Sequence, residues 1–431
     1  MRIKEYIPEA ITEIITRLQN AGKEAYIVGG AVRDILLDRN PKDFDISTSA
    51  TPEEIRKIFR DKHTIIIGKR FRLVHLYLKN DIVEISTFRK QPCAQQALHK
   101  PGRETPENMI VQDNEFGTAQ EDAYRRDFTV NALFYDPVHD KIEDFTGLGV
   151  NDIKAGCIRA IGDPALRFEE DPVRILRAIK LAGLYGFKPE TQKQEAIHSC
   201  MDLIDHASNS RLTLELEKIL KNPYGHRILK AFREYGFLRK FLPYLDARWE
   251  TPQCTYMLAL LEERNRRMRS GLYRDSISLA ISICTLPFAE QLIGGHTEPG
   301  SLWQFDSNLQ DRLWDLAHAV LGPATLTRRA AGAAVRTLLL QERLKSLLLK
   351  KLTSHPGYPH GRELAIIQNN VLWNMENFEE SLPPPTGKAK RPRHPGYFRG
   401  GKSNKIQLPA DTESGNGFNE ETVQEKEEFQ S

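Results

Sequence analysis

The order of apolar and polar residues along this 431-residue chain predicts two different regions. In the first, short runs that alternate apolar and polar positions, as half-buried strands do, lie between segments with helical spacing. The predicted strands are residues 25–28, 43–46, 63–67, 73–78 and 81–87. The predicted helices are residues 1–22, residues 31–37 and a segment that Thr51 opens as N-cap with Pro52 in its first turn. This alternation predicts an α/β (α+β) sheet domain over residues 1–150.

After about residue 165 the apolar spacing becomes helical, as the interval between Val173, Leu176 and Ile179 illustrates. We therefore expect an all-α region that extends to residue 381. Residues 90–120 show no periodicity and contain Pro, Gly, Gln and Asn, which is typical of a long functional or disordered loop. From residue 382 onward Pro, Gly, Ser and charged residues dominate and cannot form a core, so residues 382–431 are predicted to be disordered.

Composition narrows the class of protein. No run approaches the ~18 consecutive apolar residues of a membrane span, and the amphipathic N-terminal segment lacks the apolar stretch of a signal peptide. The five cysteines are far apart and form no CxxC motif, which argues against a disulfide framework or a cysteine zinc site. A soluble protein of a reducing, cytoplasmic compartment with no membrane partner is expected.

The net charge of +3 says little about binding partners, but charge is distributed unevenly along the C-terminal segment. Residues 387–405 contain seven Lys or Arg and no acidic residue, whereas residues 411–431 contain seven acidic residues and one Lys. A basic segment of this kind is typical of sequence-independent binding to RNA phosphates, and the alternative is a disordered tail that aids solubility. The basic residues assigned to RNA binding here are Lys388, Lys390, Arg391 and Arg393.

The segment Gly29–Asp34 (GGAVRD) follows a predicted strand and begins a predicted helix. Two glycines at such a turn allow backbone N–H groups to approach a polyphosphate, with help from the helix N-terminus. Arg33, in the first turn, could add a charge-assisted contact with phosphate. Alternatively, the glycines serve only a tight strand-to-helix turn.

Asp43 and Asp45 flank Phe44, and the period of two places both carboxylates on one face of a strand. Neighbouring carboxylates repel each other, and Mg²⁺, which prefers oxygen ligands, compensates that repulsion. Two such ions could activate a hydroxyl nucleophile and hold leaving phosphates. Glu84 repeats the pattern on a later strand and is a candidate third ligand. An ordinary solvated strand face is the alternative for all three residues.

Three further motifs join charged residues in patterns that suit nucleotide binding. Lys69, Arg70 and Arg72 lie between two predicted strands and suit RNA or triphosphate oxygens, unless they form only a solvated turn. In the segment 125–132 (RRDFTVNA), Arg126 and Asn131 could bind phosphate or ribose, and Asp127 could meet a ribose hydroxyl or assist a metal. A helix start with a basic surface is the alternative there.

The third motif is the segment 169–178 (EEDPVRILRA), where Asp171, Arg174 and Arg177 fall three residues apart and are expected on one helix face. An acid accepts a hydrogen bond from an exocyclic amine and a guanidinium donates to ring nitrogens or a carbonyl, so together they could read a base edge. An intrahelical salt bridge is the alternative.

From about Tyr26 to Tyr185 these segments, in this order, resemble the class II nucleotidyltransferase family of bacterial poly(A) polymerases and CCA-adding enzymes. The stretches RRDFTVNA and EEDPVRILRA carry the resemblance most specifically. It implies a nucleotidyltransferase head (1–150), a helical neck that binds nucleotide and RNA (151–225), a helical body and tail (226–381) and the C-terminal extension (382–431).

The resemblance also implies roles for the candidate residues. Asp43 and Asp45 are expected to bind catalytic Mg²⁺, and Gly29, Gly30 and Arg33 to hold the triphosphate. Asp127 and its neighbours are expected to line the nucleotide site, and Asp171 with Arg174 to read the base. Ile66–His75 resembles a signature that separates the poly(A) polymerases from the CCA-adding enzymes.

The expected activity is template-independent addition of AMP from ATP to RNA 3′ ends, dependent on Mg²⁺ and releasing pyrophosphate, in mRNA polyadenylation and RNA turnover. CCA addition to tRNA is the alternative enzyme, and a non-catalytic RNA-binding protein is the alternative of another class. One stretch departs from the family pattern: Leu148 stands between Gly147 and Gly149 as though inserted. Because this motif is thought to allow movement between head and neck, the insertion affects the expected hinge.

Overall fold

A computed structural model describes residues 3–68, 72–79, 81–90, 115–273, 275–292, 308–322, 326–345 and 352–386. The first part of the chain folds around a seven-stranded mixed sheet. Its strands are β1 (Ala25–Val28), β2 (Asp45–Thr48), β3 (His63–Ile67), β4 (Leu73–Tyr77), β5 (Ile82–Thr87), β6 (Phe134–Asp136) and β7 (Lys141–Glu143).

The strands lie in the order β3-β4-β5-β2-β1-β6-β7. Strand β2 pairs antiparallel with β1 and parallel with β5, whereas the other neighbours within this sheet pair antiparallel. The five strands predicted from the sequence are thus confirmed, with ends that differ by one or two residues. Strand β2 begins at Asp45, so Asp43 and Phe44 precede it, although Phe44 is buried and Asp43 exposed as predicted.

The helices of this first part are α1 (Glu9–Asn20), α2 (Gly30–Leu36), α3 (Pro52–Ile58) and α4 (Ala119–Tyr124), preceded by a 3-10 helix at Ile3–Tyr6. Helices α1, α2 and α3 cover one face of the sheet, and α4 packs on the other face against Val28 and Phe134. The predicted helix over 1–22 is therefore two shorter pieces. Thr51 is the N-cap of α3 in a capping box with Glu54, as its sequence predicted. Helix α4 lies partly inside the predicted loop 90–120, because Thr118 and Glu121 form a second capping box.

The rest of the described chain is helical apart from a short parallel pair, β8 (Cys157–Ile158) and β9 (Lys188–Pro189). The helices are α5 (Gly149–Ala155), α6 (Pro164–Glu170), α7 (Val173–Tyr185), α8 (Thr191–Ser199), α9 (Asn209–Leu220), α10 (Gly225–Glu234), α11 (Leu238–Phe241), α12 (Pro243–Asp246), α13 (Pro252–Arg269), α14 (Ile277–Leu292), α15 (Leu309–Val320), α16 (Arg328–Leu340), α17 (Tyr358–Leu372) and α18 (Phe378–Ser381). Short 3-10 helices lie at Thr129–Asn131, Met201–His206 and Glu342–Lys345.

One large apolar cluster extends from the helices under the sheet through α7 and α9 into the later helices. Ile46 of β2, Ile179 of α7 and Leu216 of α9 are among its buried members. The fold is therefore a mixed-sheet nucleotidyltransferase head followed by a helical region, as predicted. Within the described residues, no helix has the length and apolar character that a membrane crossing requires.

Candidate active site

The register of the sheet brings the predicted metal-binding carboxylates together. Ile46 of β2 lies opposite Ile85 of the parallel strand β5, which places Asp45 and Glu84 side by side on the other face. Asp43 lies two residues before Asp45, beyond the buried Phe44. We call Asp43, Asp45 and Glu84 the sheet carboxylates. Their oxygens are exposed to solvent, whereas the residues between them form the core.

The electrostatics of this group fit a cation. Surrounding protein atoms and the negative charges of Glu84 and Asp43 raise the pKa of Asp45 to about 6, although its carboxylate stays open to solvent. In the described part of the chain, no three His, Cys, Asp or Glu side chains converge closely enough to form a complete metal cage. Mg²⁺ needs only one or two protein carboxylates when it keeps waters and substrate phosphates as its other ligands, so this donor set fits Mg²⁺.

The glycine turn lies directly beside these carboxylates, because Val28, which precedes it, pairs with Asp45. Gly29 has φ of +72°, a conformation that favours glycine. A Cβ atom at Gly29 would also lie 3.2 Å from Nη1 of Arg126. Gly30 begins helix α2. The backbone thus favours glycine at position 29 on two independent grounds. The N–H of Gly29 donates to the Leu133 carbonyl oxygen at 3.2 Å, so a ligand at this turn would have to use the N–H groups that begin α2, starting with Gly30.

Arg126 forms the wall next to the sheet carboxylates. Its Nη2 donates to Asp122 Oδ2 at 2.9 Å and to Ser47 Oγ at 3.3 Å, and its guanidinium lies 4.9 Å from the centroid of the Phe134 ring. Its positive charge partly offsets the rise in the pKa of Asp45. Burial alone would raise the pKa of Asp122, but Arg126 and Arg125 outweigh it and lower that pKa. Arg126 is thus held as a fixed positive charge facing the carboxylates.

Arg33 is buried and already hydrogen-bonded within the protein. Its Nε and Nη2 donate to Asp34 Oδ1 at 3.0 and 2.7 Å, its Nη1 donates to Asn131 Oδ1 at 2.5 Å, and its Nη2 donates to the Tyr185 hydroxyl at 2.6 Å. The Tyr185 hydroxyl in turn donates to Asp34 Oδ1 at 2.8 Å. We call Arg33, Asp34, Asn131 and Tyr185 the Arg33 network. It joins α2 to the last residue of α7, so Arg33 connects the sheet region to the helices.

Asp127 extends the network to a second position on α7. Its Oδ1 accepts hydrogen bonds from the Asn131 side chain at 3.0 Å and from the Phe128 backbone at 2.8 Å. Its Oδ2 lies 3.8 Å from Nη1 of Arg177. Asp127 and Asn131 are thus brought together with Arg33 and Arg177, but Asp127 is not among the sheet carboxylates.

Arg177 belongs to a cluster of charges between α7 and α9. Glu215 is buried at the centre, with its carboxylate oxygens 3.5 Å from Arg177 Nε, 2.7 Å from Lys180 Nζ and 3.5 Å from Lys218 Nζ. We call Arg177, Lys180, Glu215 and Lys218 the α7–α9 cluster. Burial acts to raise the pKa of Glu215, but the three cations lower it to about 2. The charge of Lys218 also partly offsets the rise in the pKa of Asp45, so α9 faces the sheet carboxylates.

The expectation that Asp171, Arg174 and Arg177 share one helix face is wrong. Helix α7 begins at Val173, after Pro172, and Asp171 precedes it in an extended conformation with φ of −150°. The Asp171 carboxylate accepts a hydrogen bond from Arg211 of α9 at 2.7 Å. Burial acts to raise the pKa of Asp171, but Arg211 and the nearby arginines outweigh it and lower that pKa.

Arg174 is buried and does not pair with Asp171. Its Nη1 donates at 3.0 Å to both Glu170 Oε2 and the backbone carbonyl of Arg167. The alternative, a local salt bridge, holds for Arg174, whose partner is Glu170 four residues earlier, whereas Asp171 pairs with Arg211 of α9. Asp171 lies near Arg177, whose charge also lowers its pKa, so both face the same region.

The predicted basic cluster is only partly described. Arg72 has a φ of +40°, and its guanidinium pairs with Glu53 at the exposed start of α3. The predicted RNA-binding residues Lys69, Arg70, Lys388, Lys390, Arg391 and Arg393 lie outside the described residues. Arg72 lies next to β4 and so at one end of the sheet face that holds Glu84.

The segment with the apparent insertion forms the start of α5. Leu148 is exposed, and Gly149 lies so close to the chain before it that a Cβ atom would be 2.7 Å from the Thr129 carbonyl oxygen. Asp152 of α5 accepts a hydrogen bond from the Thr129 hydroxyl at 2.6 Å. Leu148 is thus accommodated on the surface while Gly149 makes the close contact between α5 and the 129–133 segment.

Sequence reasoning missed the partners that fix the predicted residues. They are Asp34, Asp122, Glu170, Tyr185, Arg211, Glu215 and Lys218. Asp34 and Glu170 stood inside motifs already singled out, so adjacency was a usable signal for them. Arg211 and Tyr185 are 40 and 152 residues from the groups they contact, and no periodicity links such distant polar residues.

The chain is similar in sequence to known proteins. A family model described as the poly A polymerase head domain matches residues 25–159. A second model, described as a probable RNA and SrmB-binding site of polymerase A, matches residues 186–248. Poly(A) polymerase I of Escherichia coli is 31% identical over 393 residues, which cover 88% of this chain and 84% of that protein. The CCA-adding enzyme of a Geobacillus species is 37% identical over 256 residues, 59% of this chain and 60% of that protein.

Solved structures share the fold. The Bacillus stearothermophilus CCA-adding enzyme, solved in complex with CTP, superposes with a TM-score of 0.58 at 24% identity, over 86% of this chain and 80% of that chain. A tRNA nucleotidyltransferase solved with a primer tRNA and an incoming ATP analog gives a TM-score of 0.53 at 21% identity, over 86% of this chain and 96% of that chain. At these identities the likeness supports the fold assignment.

The sequence likeness over most of both chains shows that this protein belongs to the class II nucleotidyltransferase family of bacterial poly(A) polymerases and CCA-adding enzymes. It is therefore a nucleotidyltransferase, and the resemblance found in its sequence motifs is confirmed.

Proposed function

We propose that this protein is a polynucleotide adenylyltransferase, which adds AMP from ATP to RNA 3′ ends without a template and releases pyrophosphate. The observation that carries the chemistry is the pairing of Asp45 with Glu84 next to the glycine turn and Arg126. The choice of AMP is supported by the alignment with poly(A) polymerase I, which extends over more of both chains than the alignment with CCA-adding enzymes. The proposed role is mRNA polyadenylation and RNA turnover in the cytoplasm.

In this proposal the sheet carboxylates hold Mg²⁺, which when bound would polarise the α-phosphate and favour the alkoxide of the RNA 3′ end. Asp45 lies beside the glycine turn, where the triphosphate approaches Gly29 closely and accepts a hydrogen bond from the backbone N–H of Gly30 at the start of α2. Arg126 supplies a positive charge fixed by Asp122 before the substrate arrives. Such preorganised charge stabilises the transition state without further rearrangement.

The residues around α7 orient the nucleotide. Asp127 and Asn131 offer a carboxylate and an amide to the ribose, and Arg33 fixes Asn131 by a hydrogen bond. Asp171 offers a carboxylate to an exocyclic amine, with Arg174 behind it and Arg177 partly exposed beside it. We propose that Arg33 contributes its positive charge to the triphosphate site from its buried position.

The wider organisation is part of the same proposal. Residues 1–150 form the catalytic head, 151–225 the neck that selects nucleotide and grips RNA, and 226–381 the body and tail. The basic segment with Lys388, Lys390, Arg391 and Arg393, together with Lys69, Arg70 and Arg72, binds RNA phosphates through counterion release. Removing the residues after 386 should therefore lower RNA affinity and flatten its dependence on salt while leaving the chemical step intact.

CCA addition to tRNA is the second candidate, favoured by the fold likeness to CCA-adding enzymes and by their sequence similarity. It uses the same candidate catalytic residues. A non-catalytic RNA-binding role does not account for three neighbouring carboxylates, among which desolvation and then the charges of Glu84 and Asp43 raise the pKa of Asp45.

The deciding experiment extends two labelled substrates, an unstructured RNA and a tRNA that lacks its CCA end, with Mg²⁺ and either ATP alone or CTP plus ATP. Long tails on the unstructured RNA with ATP alone are expected. Addition of three nucleotides to the tRNA only, with a requirement for CTP, would establish CCA addition instead. An Asp43→Asn variant is the matched control, because it keeps the shape of the site and removes one carboxylate charge.

A further inference from the structure

The sheet carboxylates continue into a row of side chains that ends at the edge of the sheet. Glu84 of β5 lies opposite His75 of β4, and His75 lies opposite Ile65 of β3. Residues opposite each other in neighbouring strands point to the same face. The row therefore starts at Asp45, passes Glu84 and His75 and reaches Ile65, about 14 Å away at ~4.8 Å per strand.

A second row runs beside the first on the same face. His63 of β3 lies opposite Tyr77 of β4, and Tyr77 lies opposite Ile82 of β5. The ring centroids of His63 and Tyr77 are 4.8 Å apart. We call this surface the β3–β5 face, formed by His63, Ile65, His75, Tyr77, Ile82 and Glu84.

The β3–β5 face is open, in contrast to the opposite face of the same strands. Ile65 is 40% exposed and Ile82 is 52% exposed, while Val74 and Ile85 between them are fully buried. Apolar side chains exposed on one sheet face, with His75 and Tyr77 of β4 between them, form a surface of the kind that marks a binding site. Sheets that present aromatic rings in this way are a recurrent platform for single-stranded RNA, whose bases stack on the rings.

The position of this face identifies its occupant. The hydroxyl that attacks ATP must reach the sheet carboxylates, and the last nucleotides of the RNA must lie next to that hydroxyl. The β3–β5 face adjoins the carboxylates in the register of the sheet and extends away from them far enough for a few nucleotides. Arg72 does not belong to this face, because it precedes β4 at the end opposite to Tyr77 and its guanidinium pairs with Glu53 of α3.

We propose that the β3–β5 face binds the terminal nucleotides of the RNA whose 3′ end is extended, with bases stacked on His63 and Tyr77. This inference rests on the proposed function and adds the location of the RNA substrate. It also assigns a purpose to the segment Ile66–His75, whose residues Leu73 and His75 point to this face. In the described part of that segment, His75 then lies on the face that binds RNA, whereas Val74 points into the core.

The first test compares Michaelis constants. Tyr77→Ala and His63→Ala should raise KM for an oligoadenylate primer roughly fivefold to a hundredfold, the range for loss of a base–aromatic stack, with little change in KM for ATP. Tyr77→Phe should restore the wild-type value, because it keeps the ring. Val138→Asp is the control, since Val138 is similarly exposed but lies in the turn between β6 and β7 at the other edge of the sheet.

The second test needs no catalysis. A primer with 4-thiouridine at its last position should, on irradiation, crosslink to the peptide containing residues 63–78, and Tyr77→Ala should reduce this product. Unchanged KM for the primer in both alanine variants, or a crosslink confined to other peptides, would overturn the proposal. A wild-type protein that adds no nucleotide would instead overturn the proposed function, and the crosslink would still decide whether RNA occupies the β3–β5 face.

Discussion

The sheet carboxylates and the single carboxylate of the α7–α9 cluster lie near the same candidate active site, and their electrostatic surroundings are opposite. The sheet carboxylates lie together, and desolvation with mutual repulsion raises the pKa of Asp45 to about 6. In the α7–α9 cluster, three cations surround Glu215 and lower its pKa to about 2. Asp45 therefore lacks enough positive charge around it and is suited to bind a cation, whereas the charge of Glu215 is already balanced by cations of the protein. Acids of the first kind are expected to act on substrate and those of the second kind to hold structure.

The largest effect is expected at the first group. Asp45→Asn should lower nucleotide addition by about 10³-fold or more, because a metal held by carboxylates contributes several kcal/mol to the transition state. The measurement is single-turnover extension of a labelled RNA, together with the increase in melting temperature that Mg²⁺ or Mn²⁺ produces. That increase should also disappear. Asp311→Asn, a change on the surface of α15, should alter neither.

In the absence of metal, Asp45→Asn should stabilise the folded protein although it impairs catalysis. A raised pKa in the folded state means that stability is lost as the pH rises from about 4 through about 6. Asp45→Asn removes that loss, so the metal-free variant should melt at a higher temperature than wild type at pH 8. The two proteins should converge near pH 4. A variant that melts lower at pH 8 would contradict the assigned electrostatics.

The second prediction concerns stability at the α7–α9 cluster. Glu215→Gln leaves the half-buried Arg177 and Lys180 and the exposed Lys218 without their counter-charge and should cost about 1–3 kcal/mol of unfolding free energy at pH 7, because solvent screens part of the lost attraction. Because the pKa of Glu215 is lowered, its contribution is present above about pH 4.5 and is lost as the pH falls toward 2. Urea unfolding at several pH values should show the gap between the proteins narrowing with acid. Glu217→Gln, which breaks an exposed pair with Lys221, should cost no more than about 1 kcal/mol.

Asp171 is already paired with Arg211, and a substitution there tests whether such a paired carboxylate can also select the nucleotide. Asp171→Asn should reduce the ratio of kcat/KM for ATP to that for CTP about tenfold, the size of one base contact. Arg211 donates a hydrogen bond to Asp171. Arg211→Ala should therefore change the ratio of kcat/KM for ATP to that for CTP less in the Asp171→Asn variant than in wild type. An unchanged preference would leave Asp171 a structural residue like Glu215.

The smallest effect is expected in the Arg33 network. Tyr185→Phe keeps the ring 4.5 Å from the Arg33 guanidinium but removes the hydroxyl that bridges Arg33 and Asp34. The loss should be about 1.5 kcal/mol in unfolding free energy, measured by urea denaturation. KM for ATP should rise only modestly, since the proposed contacts of the triphosphate with Gly29 and Gly30 remain. A rise as large as that for Asp171→Asn would place Tyr185 in the nucleotide site itself.

The sequence predicted those features that local pattern determines. The strand at Ala25–Val28, the capping box at Thr51 and the alternation of Asp43, Phe44 and Asp45 each depend on a few consecutive residues. The carboxylates were predicted as a pair because their spacing alone sets their common face. Glu84 needed the parallel pairing of β2 with β5, which the sequence left open and the structure supplies.

Polar partners across long distances were beyond such reasoning. Asp171 was expected to act with Arg174, three residues away, but the fold gives Arg174 to Glu170 and Arg211 to Asp171. The helix start after Pro172 decides this outcome, because it turns Asp171 out of the helical path. Family likeness recovered the function nevertheless, since it relies on the order of motifs and not on their contacts.

One consequence follows from the way the sheet region holds α7. The helix is fastened at Arg177 through Asp127 and at Tyr185 through Arg33, two points eight residues or about 12 Å apart. A helix held by one contact can rotate about it, but α7 is held by two contacts and cannot rotate about one without breaking the other. While both fastenings hold, α7 moves as part of the sheet region. Helix α9, which Glu215 holds to Arg177 and Lys180 of α7, and helix α10, which packs closely on Gly183, are therefore carried along with it.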